Sequence, residues 1–420
     1  MSSTEILSDP PETPVESEAS MDLIEIGVIV AGPLDFVDSR AAKLAVEQAD
    51  ARLTEMFPGF EFNFFEIRRP ELSAGATSDS TSIEPALLLQ RALEERDARH
   101  WDFAFVLTSA ELEGIYSPYC FAALSRSMDA AVISLSLIDP QALGVDVDHV
   151  ERIERIARRL SRLMLHAIGH LTGLPKSDHP NDLLYHPPDA QALDLMAALQ
   201  PEDVERQREV LESIADQRLE EGAGKQLSSP AFAIRAAWIN RAQIYRSIWA
   251  ARPWEFPKRL SRLTIASFSA LAILFMTAES WDLALAQGAP RILGLVALTV
   301  LTTTIFVVTR QQLLVRRRKR RSEQTVVTSV LAIAIVLLGM TVTWLTLFLV
   351  GAVLSQLLFP SGLIASWASS TIETTKDLSW IHRPQMAAFS ASLALLIGAL
   401  GASFESQHYF RHIIFVDEEI

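Results

Sequence analysis

The stretch LHAIGHLTGLPKSDHPNDLLYH, residues 165–186, carries four of the nine histidines in this 420-residue chain. His166 and His170 are four residues apart. On a helix, side chains at that spacing stand on one face, one turn apart, so both imidazoles can reach a single tetrahedral cation. Gly173, three residues on, lets a helix stop and the chain double back. Lys176, Asp178 and His179 lie in the returning segment. Ala167, directly after the first histidine, has no group that can move a proton. The spacing offers two cation ligands, and the turn offers a route for a third, from His179 or Asp178.

Working outward, HVERIERIARRLSRLMLHAIGHLTGL (149–174) has apolar residues at 153, 156, 160, 163 and 164, which predicts one long helix. Upstream, DLIEIGVIVAG (22–32), FEFNFFEIRR (60–69), WDFAFVLTSA (101–110) and AAVISLSLI (130–138) read as strands. Segments 39–57, 85–100 and 201–221 read as helices, the last opening with acids that suit a helix N-terminus. A Ser/Thr/Ala/Gly-rich loop covers 73–82. Alternating strands and helices predict a layered α/β (α+β) domain over residues 21–225. Residues 1–20 hold five acids and no Lys or Arg. They are expected to be a disordered acidic tail, without the apolar core of a signal peptide. One cysteine, Cys120, excludes an intrachain disulfide and fits a reducing compartment. The net charge of −14 argues against a nucleic-acid partner.

The histidine stretch resembles the metzincins, and within them the archaemetzincin (archaelysin) branch, over about residues 22–220. Against that branch's HExxHxxGxxHC pattern, His166, His170 and Gly173 match. Ala167 stands at the position of the glutamate base, and Lys176 at that of the third zinc histidine. The branch's four structural-zinc cysteines fall on Ser177, Asp182, Glu202 and Glu205, and its Met-turn methionine on Leu184. The strand AAVISLSL and the segment FVLTSAELEG resemble the family's edge-strand region ahead of its zinc helix. The resemblance implies a zincin-like fold with the histidine pair facing a cleft. The departures imply lost hydrolysis. Removing a general base costs about 10²–10⁴-fold in rate, and a protonated lysine cannot ligate a metal. No cofactor is therefore expected. Zinc on His166, His170 and His179 is the alternative, and a purely packed or hydrogen-bonded histidine pair is another. Glu111 and Glu113 are candidate replacement bases.

The 226–260 segment, which mixes Trp and Arg, reads as an interfacial helix lying at the membrane surface or a plain linker helix, and beyond it the composition changes. Charge-free apolar runs predict an all-α polytopic membrane domain over 261–410, with four spans at about 263–280, 292–309, 325–356 and 386–404. The apolar run at 325–359 exceeds one crossing, so it tilts, breaks near Gly351 or protrudes. Arg252, Lys258, Arg259, Arg262, Arg310, Arg411 and the run Arg316, Arg317, Arg318, Lys319, Arg320 and Arg321 flank one side, 12 basic residues in all. The other side has three: Arg291, Lys376 and Arg383. The asymmetry predicts that both termini are cytoplasmic, with 411–420 as a short tail. The 316–321 run reads as an anchor against anionic lipid. None of the apolar runs 263–278, 292–309, 325–359 and 386–404 contains an ionisable residue, which lowers the case for a transporter.

Three functions compete. The first is a membrane-anchored, catalytically inactive metzincin-like domain that binds a protein or peptide, or regulates. The second is a divergent zinc metallopeptidase at the membrane surface. The third is a membrane assembly or sensing module with a regulatory soluble domain. Expected partners are the lipid bilayer, a protein or peptide, and a second copy of the chain.

Overall fold

The computed structural model describes residues 21–75, 82–115, 117, 120–215, 228–314, 323–368, 380–402, 411–412 and 414–420. The acidic stretch 1–20 and the basic run 316–321 lie outside the described residues.

A six-stranded sheet is built from β1 (Asp22–Ala31), β2 (Phe60–Arg69), β4 (Phe103–Thr108), β6 (Ala122–Ser125), β7 (Ala130–Ser134) and β8 (Glu418–Glu419). Its order is β2-β1-β4-β7-β6-β8. The first four strands in that order are parallel, while β6 runs antiparallel to both β7 and β8. A two-residue pair, β3 (Ser82–Ile83) and β5 (Glu111–Leu112), stands apart. Strands β4 and β7 are buried along their whole length, as expected for central strands covered on both faces.

One face of the sheet carries α1 (Phe36–Met56) and α3 (His149–Leu171), with α4 (Ala190–Leu193) and α5 (Pro201–Ala215) beside them. Asp35 and Asp148 cap the two long helices, accepting from the amides of Asp38 and Val150. Arg159, buried in the middle of α3, fixes that helix in place. Its guanidinium donates to the Asp194 carboxylate at 2.6 and 2.9 Å and to the Ile138 carbonyl at 2.8 Å. The opposite face carries α2 (Pro85–Arg99), and its apolar cluster continues without a break into the helical C-terminal region.

That region comprises α6 (Ser229–Ile239), α7 (Arg241–Ala251), α8 (Phe256–Arg259), α9 (Ser261–Phe275), α10 (Ala278–Ala286), α11 (Ala289–Arg310), α12 (Glu323–Leu358), α13 (Ser361–Trp367) and α14 (His382–Ala402). Helices α11, α12 and α14 are long and apolar enough to cross a membrane. A fourth crossing requires α9 and α10 together, and these meet at 87°. The expected straight span at 263–280 therefore stops at Phe275. The chain turns there, and the Trp281 indole donates to the Phe275 carbonyl at 3.0 Å. The long apolar run neither breaks at Gly351 nor re-enters. It is one helix of 36 residues, roughly 54 Å long at 1.5 Å per residue. That exceeds a hydrocarbon core of about 30 Å, and the first turns of the helix reach the sheet, where the Thr328 hydroxyl donates to the Ser127 carbonyl at 2.8 Å.

Helix α14 runs antiparallel to both α12 and α9. At one end, Arg383 of α14 donates to the carbonyls of Ser355 and Phe359 at the close of α12. At the other end, Gly398 lies against the start of α9. A Cβ built on it would stand 2.9 Å from the Leu263 carbonyl oxygen. Small residues at such crossings let two backbones approach. Outward-facing Leu293, Leu298, Ile305, Val353, Leu357 and Leu400 are exposed, far more apolar surface than water tolerates. Trp238, Tyr245 and Trp249 are exposed on α6 and α7, which form two short helices joined at Asn240 rather than one.

Of the segment 411–420, expected as a tail, the described residues 414–420 return to the sheet. After α14 the chain comes back to the domain it left, and β8 covers the β6 edge. The sheet would otherwise end in an unpaired edge at β6.

Candidate functional site: a histidine pair closed by the last strand

Helix α3 delivers both histidines and then stops. The Thr172 hydroxyl folds back to donate to the Ile168 and Gly169 carbonyls. Gly173 takes φ +95°, a left-handed conformation that side chains disfavour, with open space around it. The Leu174 amide then donates to the Gly169 carbonyl and the Gly173 amide to the His170 carbonyl, each at 3.0 Å. This is the two-bond helix stop that a glycine at that position permits. The chain reverses and runs back past the helix face that holds the histidines.

That return loop sets the rings. His166 Nδ1 lies 2.6 Å from the Leu183 carbonyl, and His170 Nδ1 lies 3.1 Å from the Leu174 carbonyl. A carbonyl can only accept, so each Nδ1 carries the proton and each Nε2 is left with a lone pair. Both side chains are fully buried, and their ring centroids are 4.3 Å apart. Among the described residues, neither Nε2 has a hydrogen-bond partner. Burial pushes both rings down to about 3. His170 adds to the effect on His166, and Arg126 and Lys176 add to it on His170. Both are thus neutral in the physiological range, which is the form that ligates metal.

The third member comes from the far end of the chain. Glu418 of β8 is buried, with Oε2 3.5 Å from His170 Nδ1 and Oε1 2.8 Å from Lys176 Nζ. One ligand atom from each of His166, His170 and Glu418 falls within 4.8 Å of the others. Two imidazoles and a carboxylate form a donor set suited to a borderline cation such as Zn²⁺. The two bare Nε2 atoms are the observation that makes these residues fit one.

The sequence candidates fare unequally. His166 and His170 come together as their spacing implies. His179 and Asp178 are exposed, and neither belongs to the three-residue group. Lys176 reaches the site, but as a cation beside Glu418. His186 stands half-buried, with Nδ1 4.0 Å from the same carboxylate. Ala167 is buried. Glu111 and Glu113 are exposed. Sequence reasoning missed Glu418 because a ligand so far along the chain leaves no spacing to recognise. The available signal was IIFVDEEI, a strand-like apolar run ending in acids after the last span.

The neighbours of Glu418 anchor the strand from the other side. Asp417 accepts from the Arg126 amide at 2.7 Å. Glu419 accepts from the Ile115 and Ser117 amides at 2.8 and 2.7 Å and from His412 Nε2 at 2.5 Å. Burial would raise the Glu419 carboxyl, but these hydrogen bonds outweigh it and hold the group below the usual carboxylate range.

No protein family and no curated protein matches the chain. Among solved structures it is similar to the archaemetzincin of Methanopyrus kandleri, at 16% identity and a TM-score of 0.36, covering 47% of this chain and 99% of that one. It is also similar to the archaemetzincin of Archaeoglobus fulgidus complexed with malonate, at 14% identity and a TM-score of 0.33, covering 44% and 99%. A zinc-dependent peptidase of Methanocorpusculum labreanum gives 14% identity and a TM-score of 0.32, covering 43% and 99%. At these scores the likeness carries no weight on the chemistry.

Proposed function

We propose that the chain is a membrane-embedded protein whose sheet domain is a zincin-like module without peptidase activity. Its histidine cleft is a regulatory strand-binding site, filled by the chain's own β8. The observation that carries this reading is β8 itself, paired along the β6 edge with Glu418 against the histidine pair. Extended segments commonly dock by adding a strand to a sheet edge. A working metallopeptidase needs a base for its water and a metal position open to substrate. Here the base position holds Ala167, Lys176 stands where a third ligand would, and the chain itself covers the edge.

The test uses the full chain and a form ending at Phe415, both in detergent micelles. Neither should cleave a mixed fluorogenic peptide library above the His166→Ala background. A labelled peptide of residues 411–420 should bind the shortened form and not the full chain. Zinc-dependent cleavage abolished by His166→Ala would establish the peptidase alternative instead.

The proposal includes four crossings, with α9 and α10 together as the bent first, and the sheet domain in the cytoplasm. The basic residues support this orientation, 12 on one side and 3 on the other. The antiparallel helices support it too, since they bring the start of α9 and the end of α14 to the same end of the bundle. A reporter fused after residue 420 should score as cytoplasmic and one inserted at 370–378 as external; the reverse result would invert the topology.

A further inference from the structure

We propose that Glu418 is the third ligand of a divalent-cation site completed by His166 and His170, so that cation binding and docking of β8 are a single event. This deepens the reading above and takes from it only that β8 fills the cleft.

Three observations converge. First, the loop carbonyls of Leu183 and Leu174 fix both Nδ1 atoms as donors, which leaves two buried Nε2 lone pairs without partners among the described residues. Burying an unsatisfied acceptor is costly, and two side by side are rarely kept without a use. Second, a buried carboxylate offers an oxygen within 4.8 Å of a nitrogen on each ring. Third, Glu418 is neutralised by a group that can leave. Lys176 reaches its Oε1 at 2.8 Å, yet the lysine side chain is 52% exposed while the glutamate is 8% exposed. The ammonium sits on a flexible stem at the mouth of the site. It balances the carboxylate when no divalent ion is bound and can swing to water when one arrives.

The coupling follows from where the ligands sit. The histidines belong to α3, which packs on the sheet early in the sequence, and Glu418 belongs to a strand that follows the last membrane helix. A cation held by all three ties the bundle's exit to the sheet domain. Any equilibrium in which β8 lifts away must break that ligation. By linkage, a ligand that binds only the docked form stabilises docking in proportion to its excess over Kd.

The full chain, stripped with chelator in detergent, is titrated with Zn²⁺ against a chromophoric competitor. Hydrogen exchange of the Phe121 and Ala122 amides, both donated to the Ile420 carbonyl, is followed in parallel. One Zn²⁺ should bind per chain and slow exchange of those amides at least threefold. Glu418→Gln should weaken binding at least tenfold, and His166→Ala should abolish it. Lys176→Met should tighten binding several-fold by removing the competing cation, an effect that a purely structural Glu418 would not give. Exchange measured without metal shows whether β8 still docks in each variant. Equal Zn²⁺ affinity in Glu418→Gln with β8 docked would overturn the proposal and leave the closed-cleft reading standing. Absence of Zn²⁺ binding by the unmodified chain would overturn it too. Peptide cleavage, scored separately, bears on the function and not on this ligand.

Discussion

Glu419 offers the sharpest test of how firmly the last strand is held. Its side chain is 1% exposed and, among the described residues, accepts hydrogen bonds from two loop amides and from His412. Glu419→Ala leaves those donors facing a methyl group. Each bond to a charged acceptor is worth ~1.5–3 kcal/mol. The simple sum overstates the loss, because once β8 lifts, water satisfies the donors again. A loss of ~3 kcal/mol in docking free energy is a conservative figure, roughly two decades in the opening constant. Hydrogen exchange reads that constant directly for amides that face β8. Phe121 and Ala122 donate to the Ile420 carbonyl, and the Arg126 amide donates to Asp417. These three amides should exchange about 100-fold faster in the variant, by the same arithmetic. The Ala104 amide, bonded to the Asp129 carbonyl in the middle of the sheet, should not change. Glu419→Gln, which keeps the shape and one acceptor oxygen, should fall between. If Phe121 and Ala122 stay within threefold of the unmodified chain, the carboxylate does not hold the strand, and the account of the closed edge fails.

Three further outcomes are expected. Gly398→Val should loosen the α9–α14 crossing, since even a Cβ would press on the Leu263 carbonyl; a lower thermal midpoint in detergent, with the isolated sheet signal little changed, checks this. Arg96 is fully buried, donating to Asp97 and Asp129 and to the Met128 carbonyl, and Arg96→Met should cost about 3–5 kcal/mol of stability by breaking a buried charge network, measured by denaturant unfolding. Burial, then the carboxylates of Asp35 and Asp139, push Asp38 up to about 6, with Arg152 opposing. Its folded value lies above its unfolded one, so its contribution is full below about 3.8 and is lost as pH rises through 6. Asp38→Asn should therefore gain in thermal midpoint relative to the parent between pH 4 and 7 and match it below pH 4; a constant offset would show that the carboxyl does not titrate as stated.

Much of the fold was legible because period alone decided it. FEFNFFEIRR alternates apolar and polar residues over 60–64 and again over 65–68, and β2 occupies all ten residues. The apolar stripe of residues 149–174 appears as α3, and Gly173 ends it as the motif requires. Strand β6 was missed because Ala-Ala-Leu-Ser has no β-branched or aromatic residue; its place in the sheet comes from being buried between β7 and β8. The bend at Phe275 was hidden for a different reason. Hydropathy reports only that a segment is apolar, whereas the turn depends on Trp281 meeting the Phe275 carbonyl. At the site, local spacing identified the two histidines, but the third group depends on a contact between residues 170 and 418, which no short-range pattern encodes.

The position of β8 has a consequence for the order of biosynthesis. The sheet's other strands lie within residues 22–134, but its edge is closed by residues 418–419. A ribosome adding about 5–20 residues per second needs tens of seconds to travel from β6 to β8. Throughout that interval β6 is an unpaired edge next to an open histidine cleft. It can be closed in the native way only after the whole helical region from α6 to α14 has been made. Closure of the edge thus reports that synthesis of that region is complete. A nascent molecule would display a free sheet edge, and quality-control factors that recognise extended, unpaired strands could distinguish it from the finished one.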